Sequence, residues 1–248
     1  MNSSIEQLGF FGWIYKIFGE YYLQILYGIV RTLLLALVGT IVGLGLSLIF
    51  SSIIVKKIDK YHDSLINIVI TKILKFIVHV YVTVIRGTPM MVQALIFYYL
   101  FKGIGIDWDP LTAGLFTVSI NTTAYLTEVL RGGINSVDNG QLEAARSIGM
   151  SEAKAMLFVV YPQAIKNSMA SIGNEFIVNI KDTSVLNVIG VIELYNSTLM
   201  AGNKYFKVVE AMCIAATIYL ILTYTSSKLL RIFEKRIGAP VKEIESCN

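Results

Sequence analysis

A chain of 248 residues that is 55% hydrophobic and only 15% charged is too apolar, and too poor in helix and strand breakers, for a soluble domain of its size. Its net charge of +4 comes without a basic run long enough to track phosphates, which excludes nucleic-acid binding. Two cysteines, Cys213 in an apolar segment and Cys247 in a polar tail, make neither a disulfide framework nor a metal set. The composition is that of an integral membrane protein. Its long apolar runs make it all-α, because a helix satisfies its own backbone within lipid.

Residues 1–20 lack a basic start, Lys16 being the first cation, and no small-residue cleavage site precedes a short apolar core. A removable signal peptide is therefore not expected. Trp13, Tyr15, Tyr21 and Tyr22 cluster just before the first long apolar run, where amphipathic rings settle at headgroup level. We read 1–20 as an interfacial, extracytoplasmic segment, 21–236 as the transmembrane domain and 237–248 as a cytoplasmic tail.

Five spans are predicted within that domain. The first, Ile25 to Val55, is longer than a bilayer requires and carries Gly39, Gly43, Ser47 and Ser51 at four-residue intervals, a flat stripe for helix packing. After Lys56, Lys57 and Lys60 the chain returns over Leu65 to Ile85, with Lys72 and Lys75 placed early enough to snorkel. Arg86-Gly87-Thr88-Pro89 breaks this span, and the carbonyls freed by proline need protein neighbours or a wet vestibule. Met90 to Phe101 is too short for a separate crossing and is joined to the second span. His79 reads as hydrogen-bonded filler.

The turn-rich loop Gly103 to Pro110 leads into a third span, Leu111 to Val129, which carries Asn121, Thr122, Thr123 and Glu128. The fourth, Tyr161 to Ile180, bears Gln163, Lys166, Asn167, Asn174, Glu175 and Asn179, a polar load that no lipid-facing helix could hold. Lys181 to Asn203 reads as a re-entrant or extracellular stretch, and Phe206 to Ile232 as the fifth span.

Between spans three and four lies a polar loop, about 138–160. Asp138 is placed to cap a short helix with Gln141 reaching back, Gly149 offers a left-handed stop, and Ser151 with Lys154 starts a second helix that ends before Pro162. Ala144 and Ala145 leave one side of the first helix nearly bare, between the charges of Glu143 and Arg146. This is the shape of a docking knob.

Five spans put the two ends on opposite sides, and the positive-inside rule then chooses the orientation. With the N-terminus outside, cytoplasmic segments hold eleven Lys or Arg (three in 55–63, three in 131–154, five in 228–248) against four outside: Lys16, Lys102, Lys204 and Lys207. The knob then faces the cytoplasm.

The chain has no G-x-x-x-x-G-K-[ST] motif, no Ser-His-Asp set and no paired carboxylates, so it is not expected to be an enzyme. Charged residues in or beside the spans, Arg86, Glu128, Glu175, Lys181 and Asp182, need a compensating role. They either pair with one another or grip a zwitterionic ligand. In the second case Arg86, Lys181 or a helix N-terminus meets a carboxylate, and Glu175 and Asp182, two helical turns apart, meet an ammonium group.

Glu143-Ala144-Ala145, Gly149 four residues after Ala145, then Val159 and Pro162 resemble the EAA loop of permease subunits of ABC importers. Val159 and Tyr161 stand where that pattern prefers isoleucine and leucine. RGTPMMVQ at 86–93, AYLTEVLRGGINSV at 124–137 and GNEFIVNIKDTSVLNVIGVIEL at 173–194 resemble the polar amino acid permeases of histidine, glutamine and arginine uptake systems. The resemblance runs from about Gly28 to Arg236. It implies the type I ABC importer permease fold, in a multi-pass protein of a prokaryotic cell membrane that carries polar or charged L-amino acids inward. The partners it implies are two ABC ATP-binding subunits, a second permease chain and an extracytoplasmic solute-binding protein. ATP and Mg belong to the partner ATPase, with no cofactor in this chain. Docking falls to Glu143, Ala144, Ala145, Arg146 and Gly149. Thr88, Gln93, Asn121, Asn174 and Ser184 join Arg86, Glu128, Glu175, Lys181 and Asp182 as substrate-binding residues. An ion-coupled secondary transporter or channel would use the polar spans equally well, but gives no reason for the docking loop.

Overall fold

The computed structural model describes residues 8–56, 58 and 64–237. The expectations for residues 1–7, for Lys57 and Lys60 and for the tail 238–248 with Cys247 lie outside the described residues. Within them the chain is helical: α1 (Phe10–Val55), α2 (Leu65–Arg86), α3 (Met90–Gly103), α4 (Pro110–Asn135), α5 (Asn139–Ser147), α6 (Glu152–Ala155), a π-turn (Met156–Val160), α7 (Tyr161–Asp182), a 3-10 segment (Thr183–Ile189), α8 (Leu194–Asn203) and α9 (Val208–Ile237).

Three of these, α1, α2 and α9, are long and apolar enough to cross a membrane on that ground alone. Helices α4 and α7, with 26 and 22 residues, have the length but carry the polar residues that dilute their hydropathy. The first element differs from expectation. Instead of an interfacial helix followed by a span at Ile25, one 46-residue helix runs unbroken from Phe10. No proline interrupts the sequence between Phe10 and Ile25, so nothing stops propagation. The chain also breaks at Gly87–Pro89 into two helices, with Gly87 N–H returning to Thr83 O and the Thr88 hydroxyl donating to Val84 O at 2.8 Å.

Two compact units interleave along the chain, and α2 and α3 fall in different ones. The first comprises the described residues of Met1–Gly39, Met90–Val118 and Ile177–Ser226. Its core joins Leu35, Ala94, Ala113, Val118, Leu186, Ile189 and Val191, so α3 and α4 pack on the 3-10 segment. A second cluster, Ile17, Ile25, Leu194, Ala201 and Ile214, joins α1, α8 and α9. Between them stands Glu193, fully buried at 0% exposure. Its carboxylate accepts the Tyr195 and Asn196 N–H groups at 2.9 Å and the Tyr219 hydroxyl at 2.7 Å, with the Thr32 hydroxyl at 3.4 Å. It therefore caps α8 while tying it to α1 and α9, and these bonds offset the cost of burying a carboxylate. At ten residues α8 is too short to cross. At the start of α4, outside the spans, the Thr112 hydroxyl and the Leu111 and Thr112 N–H groups hold the Asp109 carboxyl below the usual carboxylate range.

The second unit comprises the described residues of Thr40–Pro89, Ser119–Phe176 and Ser227–Asn248. Leu126, Leu130 and Ile172 pack with Leu44 and Leu48, joining α1, α4 and α7. The small-residue stripe is used inside this chain, since Ser47 and Ser51 are fully buried and Gly43 lies directly under Thr122. Gly133 lets α4 and α7 touch: a Cβ there would sit 2.0 Å from Ser168 Oγ and 2.7 Å from Ala164 O. Its neighbour Gly132 faces open space. Gly133→Ala is therefore expected to cost about 1–3 kcal/mol through overpacking, whereas Gly132→Ala is expected to be neutral or to stabilise by up to about 1 kcal/mol. Melting temperatures of the two purified variants check this, and equal shifts would contradict the packing described.

Candidate functional site

The polar loop folds as a capped corner. Asp138 precedes α5 and its carboxylate accepts the Gly140 N–H at 2.6 Å, while the Gln141 backbone N–H returns to Asp138 O at 3.0 Å. Gly149 has φ of 88°, the left-handed stop expected of it, because a Cβ is strained there. Its N–H bonds Arg146 O, and Met150 N–H reaches Ala145 O. Ser151 then caps α6, its hydroxyl accepting the Lys154 N–H.

The second helix does not end before Pro162. It continues through the π-turn Met156–Val160 into α7. Proline lacks an N–H and its ring clashes with the carbonyl four residues back, and one wider turn relieves both. Tyr161 N–H bonds Met156 O across it, and the Gln163 side chain donates to Val159 O at 2.8 Å, supplying a donor the widened ladder does not.

The corner's surface also departs from expectation. Ala144 is exposed but Ala145 is buried, because successive helical residues point about 100° apart. Glu143, Ala144, Arg146, Ser147, Ile148 and Gly149 are among its exposed residues. Ile148, at 81% exposure, is its large apolar member and was not foreseen. An isoleucine just before a glycine stop was the available signal. Ile134, Val160 and Ala164 pack with Val55, Leu142 and Met156 beneath the corner, fixing it on α4 and α7.

The polar groups of α2 and α4 meet in the same unit. Lys75 and His79, one helical turn apart on α2, line a cleft of about 500 Å³ with Ile54, Phe76, Glu128 and Arg131. Arg131 holds Glu128 with two N–H groups at 2.7 and 3.1 Å on Oε2. Glu128, expected as a ligand group, is thus engaged by Arg131, which had been counted only as a loop charge. His79 is not core filler; it is exposed at the cleft, and Lys75 lines the same cleft. Arg86, at the exposed end of α2, lies over the Tyr125 ring at 5.3 Å.

The remaining expected substrate residues are spread along the chain. Gln93 on α3 and Asn121 on α4 are buried. Asn174 is exposed and Glu175 half-buried on α7, with Lys181 and Asp182 exposed at its end and Ser184 half-buried just beyond. Helix α7 is unbroken from Tyr161 to Asp182, so Glu175 and Asp182 keep the two-turn spacing on which their pairing depends.

Residues 64–239 match the family described as binding-protein-dependent transport system inner membrane component. The glutamine transport system permease protein GlnP of Escherichia coli (strain K12) is 38% identical over 164 residues, covering 64% of this chain and 73% of that protein. The L-cystine transport system permease protein TcyB of Bacillus subtilis (strain 168) is 37% identical over 165 residues, 66% of this chain and 70% of its own length. The nopaline transport system permease protein NocM of Agrobacterium fabrum (strain C58 / ATCC 33970) is 32% identical over 199 residues, 76% and 83% respectively. Among solved structures, an amino acid ABC transporter crystallised with histidines superposes with a TM-score of 0.77 at 35% identity, over 93% of this chain and 99% of that one. The MetNI methionine ABC transporter in an inward-facing conformation reaches 0.67 at 14% identity over 86% and 94%, a likeness of fold alone.

Proposed function

The chain belongs to the family of binding-protein-dependent transport system inner membrane components and is an amino-acid ABC importer permease; from that premise we propose how it works as a subunit. One of two ATP-binding subunits docks on the α5–α6 corner of this chain. A second permease chain completes the translocation path, and a solute-binding protein delivers the amino acid from outside. ATP closes the ATPases, and the corner passes that movement to α4 and α7, between which it is built, so that the path alternates in exposure. Along the path, Arg86, Lys181 and the polar residues Thr88, Gln93, Asn121, Asn174 and Ser184 contact the substrate, with Glu175 and Asp182 on its ammonium group. The 35% identity to an amino acid ABC transporter chain over 93% of the sequence carries the reading.

Orientation is the part to test first. The N-terminus lies outside and the corner in the cytoplasm, as the eleven-to-four distribution of Lys and Arg favours. A cysteine placed at exposed Asn139 is expected to resist an impermeant thiol reagent in intact cells and to react after permeabilisation. Labelling in intact cells, with a cytoplasmic control protein unlabelled, would invert the topology and remove the docking assignment with it.

A further inference from the structure

The turn that joins α8 to α9 presents a residue its backbone does not favour. Phe206 has φ of 56°, the one non-glycine residue with positive φ among the described residues, and it is 94% exposed. Its conformation is fixed as a Schellman stop of α8, with the Lys207 N–H on Gly202 O at 3.0 Å and the Phe206 N–H on Asn203 O at 3.2 Å. Glycine would sit there without strain, so a phenylalanine held outward in this conformation points to a surface that it meets.

Three ammonium groups flank this turn. Lys16 lies over the Trp13 and Tyr205 rings at 5.2 and 4.9 Å, Lys207 over Trp13 at 5.4 Å and Lys204 over Tyr21 at 5.4 Å. Tyr205 is 5.4 Å from Trp13 and 6.3 Å from Tyr21, so the lysines share one aromatic floor. Two carboxylates face them. Glu210 takes Lys207 at 3.6 Å, and Glu20 accepts the Tyr205 hydroxyl within electrostatic reach of Lys204. Three lysines against two glutamates leave the patch positive.

The place of the turn along α9 selects its partner. This helix is long and apolar enough to cross a membrane, Lys207 immediately precedes it, and from 208 to 227 only Glu210 is charged, before Lys228 and Arg231 follow. Twenty helical residues rise about 30 Å, the thickness of a hydrocarbon core, so Lys207 and Lys228 mark opposite headgroup levels. Val208 and Val209 beside the turn, and Phe10, Phe11 and Tyr15 near Trp13 on α1, are exposed. Rings and lysines at the end of a span suit phosphates above and acyl chains below.

We propose that this turn, with the start of α1, is a binding site for an anionic phospholipid of the leaflet at that end of the span. Lys16 and Lys204, with Lys207 beside them, draw in the phosphate, and the Phe206 ring enters the bilayer next to the glycerol. Under the orientation that the charge distribution favours, this is the outer leaflet. The site seats the chain in lipid and stands apart from what the chain transports.

Phe206→p-benzoylphenylalanine, irradiated in intact cells, is expected to crosslink to phospholipid and add a lipid's mass to the purified permease. Crosslinks to protein alone would assign the turn to a protein partner, the solute-binding protein among them, and overturn the proposal. Native mass spectrometry of the delipidated permease–ATPase complex, titrated with phosphatidylglycerol or phosphatidylcholine, reads the headgroup preference. Wild type is expected to bind phosphatidylglycerol about tenfold or more tightly. Lys16→Gln, Lys204→Gln and Lys207→Gln together are expected to lower that preference at least about fivefold, since each lysine near a membrane surface adds attraction for anionic lipid. The three Lys→Arg substitutions are expected to retain it. Should the triple glutamine variant fail to assemble, Lys204→Gln alone, at an exposed side chain, is expected to lower the preference about threefold. Equal affinity of wild type for the two lipids, or an unchanged preference in the assembled glutamine variants, overturns the site.

Discussion

Ala144→Trp or Ile148→Asp is expected to reduce substrate-stimulated ATP hydrolysis in the reconstituted complex by more than tenfold while the permease itself stays folded. Both residues are exposed on the α5–α6 corner, and Ile148 is the large apolar group it presents. A central apolar anchor of an interface typically contributes about 2–4 kcal/mol, a factor of about 30 or more in association. Ala145→Trp is the control that gives the experiment its meaning. Ala145 is buried against the body beneath the corner, so tryptophan there overpacks the permease and lowers its melting temperature. If Ala144→Trp and Ile148→Asp both keep full coupled hydrolysis and uptake, the corner is not where the ATPase docks. If all three variants merely lower the melting temperature, the exposed side belongs to the permease's own fold.

Glu175→Gln and Asp182→Asn are each expected to weaken amino-acid binding to the purified complex roughly ten- to a hundredfold. The substitutions preserve size and hydrogen bonding but delete charge assistance, worth about 1.5–3 kcal/mol for a bond to a charged group. The melting temperature and the hydrolysis rate of the ATPase alone are expected to be spared. The competing role, an ion pair within the fold, gives the opposite pattern. Breaking such a pair strands a charge and lowers the melting temperature, with affinity in the surviving complex unchanged. Glu128→Gln provides the contrast, because Glu128 already holds Arg131. Its first effect is expected on the geometry of the cleft around Arg131.

Local structure was legible wherever one residue imposes a backbone conformation or satisfies its own neighbour. Asp138 and Ser151 start their helices and Gly149 ends one as read, since caps and a left-handed glycine act within four residues. The reading failed where the answer depended on what lies opposite. Pro162 looked like a helix end, yet a π-turn and the Gln163 side chain absorb it. Ala144 and Ala145 looked equivalent, yet helical geometry turns one outward and buries the other. Lys75 looked free to snorkel, and the cleft that it lines is formed by a helix fifty residues further on.

Composition, span-length apolar runs and the placement of the polar loop determined by themselves that this chain is an all-helical membrane protein with a corner between α4 and α7, because lipid leaves a helix few alternatives. Its motifs carried the family. Only the tertiary structure decided which charges are already satisfied. Glu193, unremarked in the sequence, is a buried cap joining three helices, whereas Glu128 is held by Arg131 and Lys75 and His79 face a cleft. The physical reason is that the cost of a charge within the membrane depends on its partner. Partners meet by helix packing, which residue order alone does not specify.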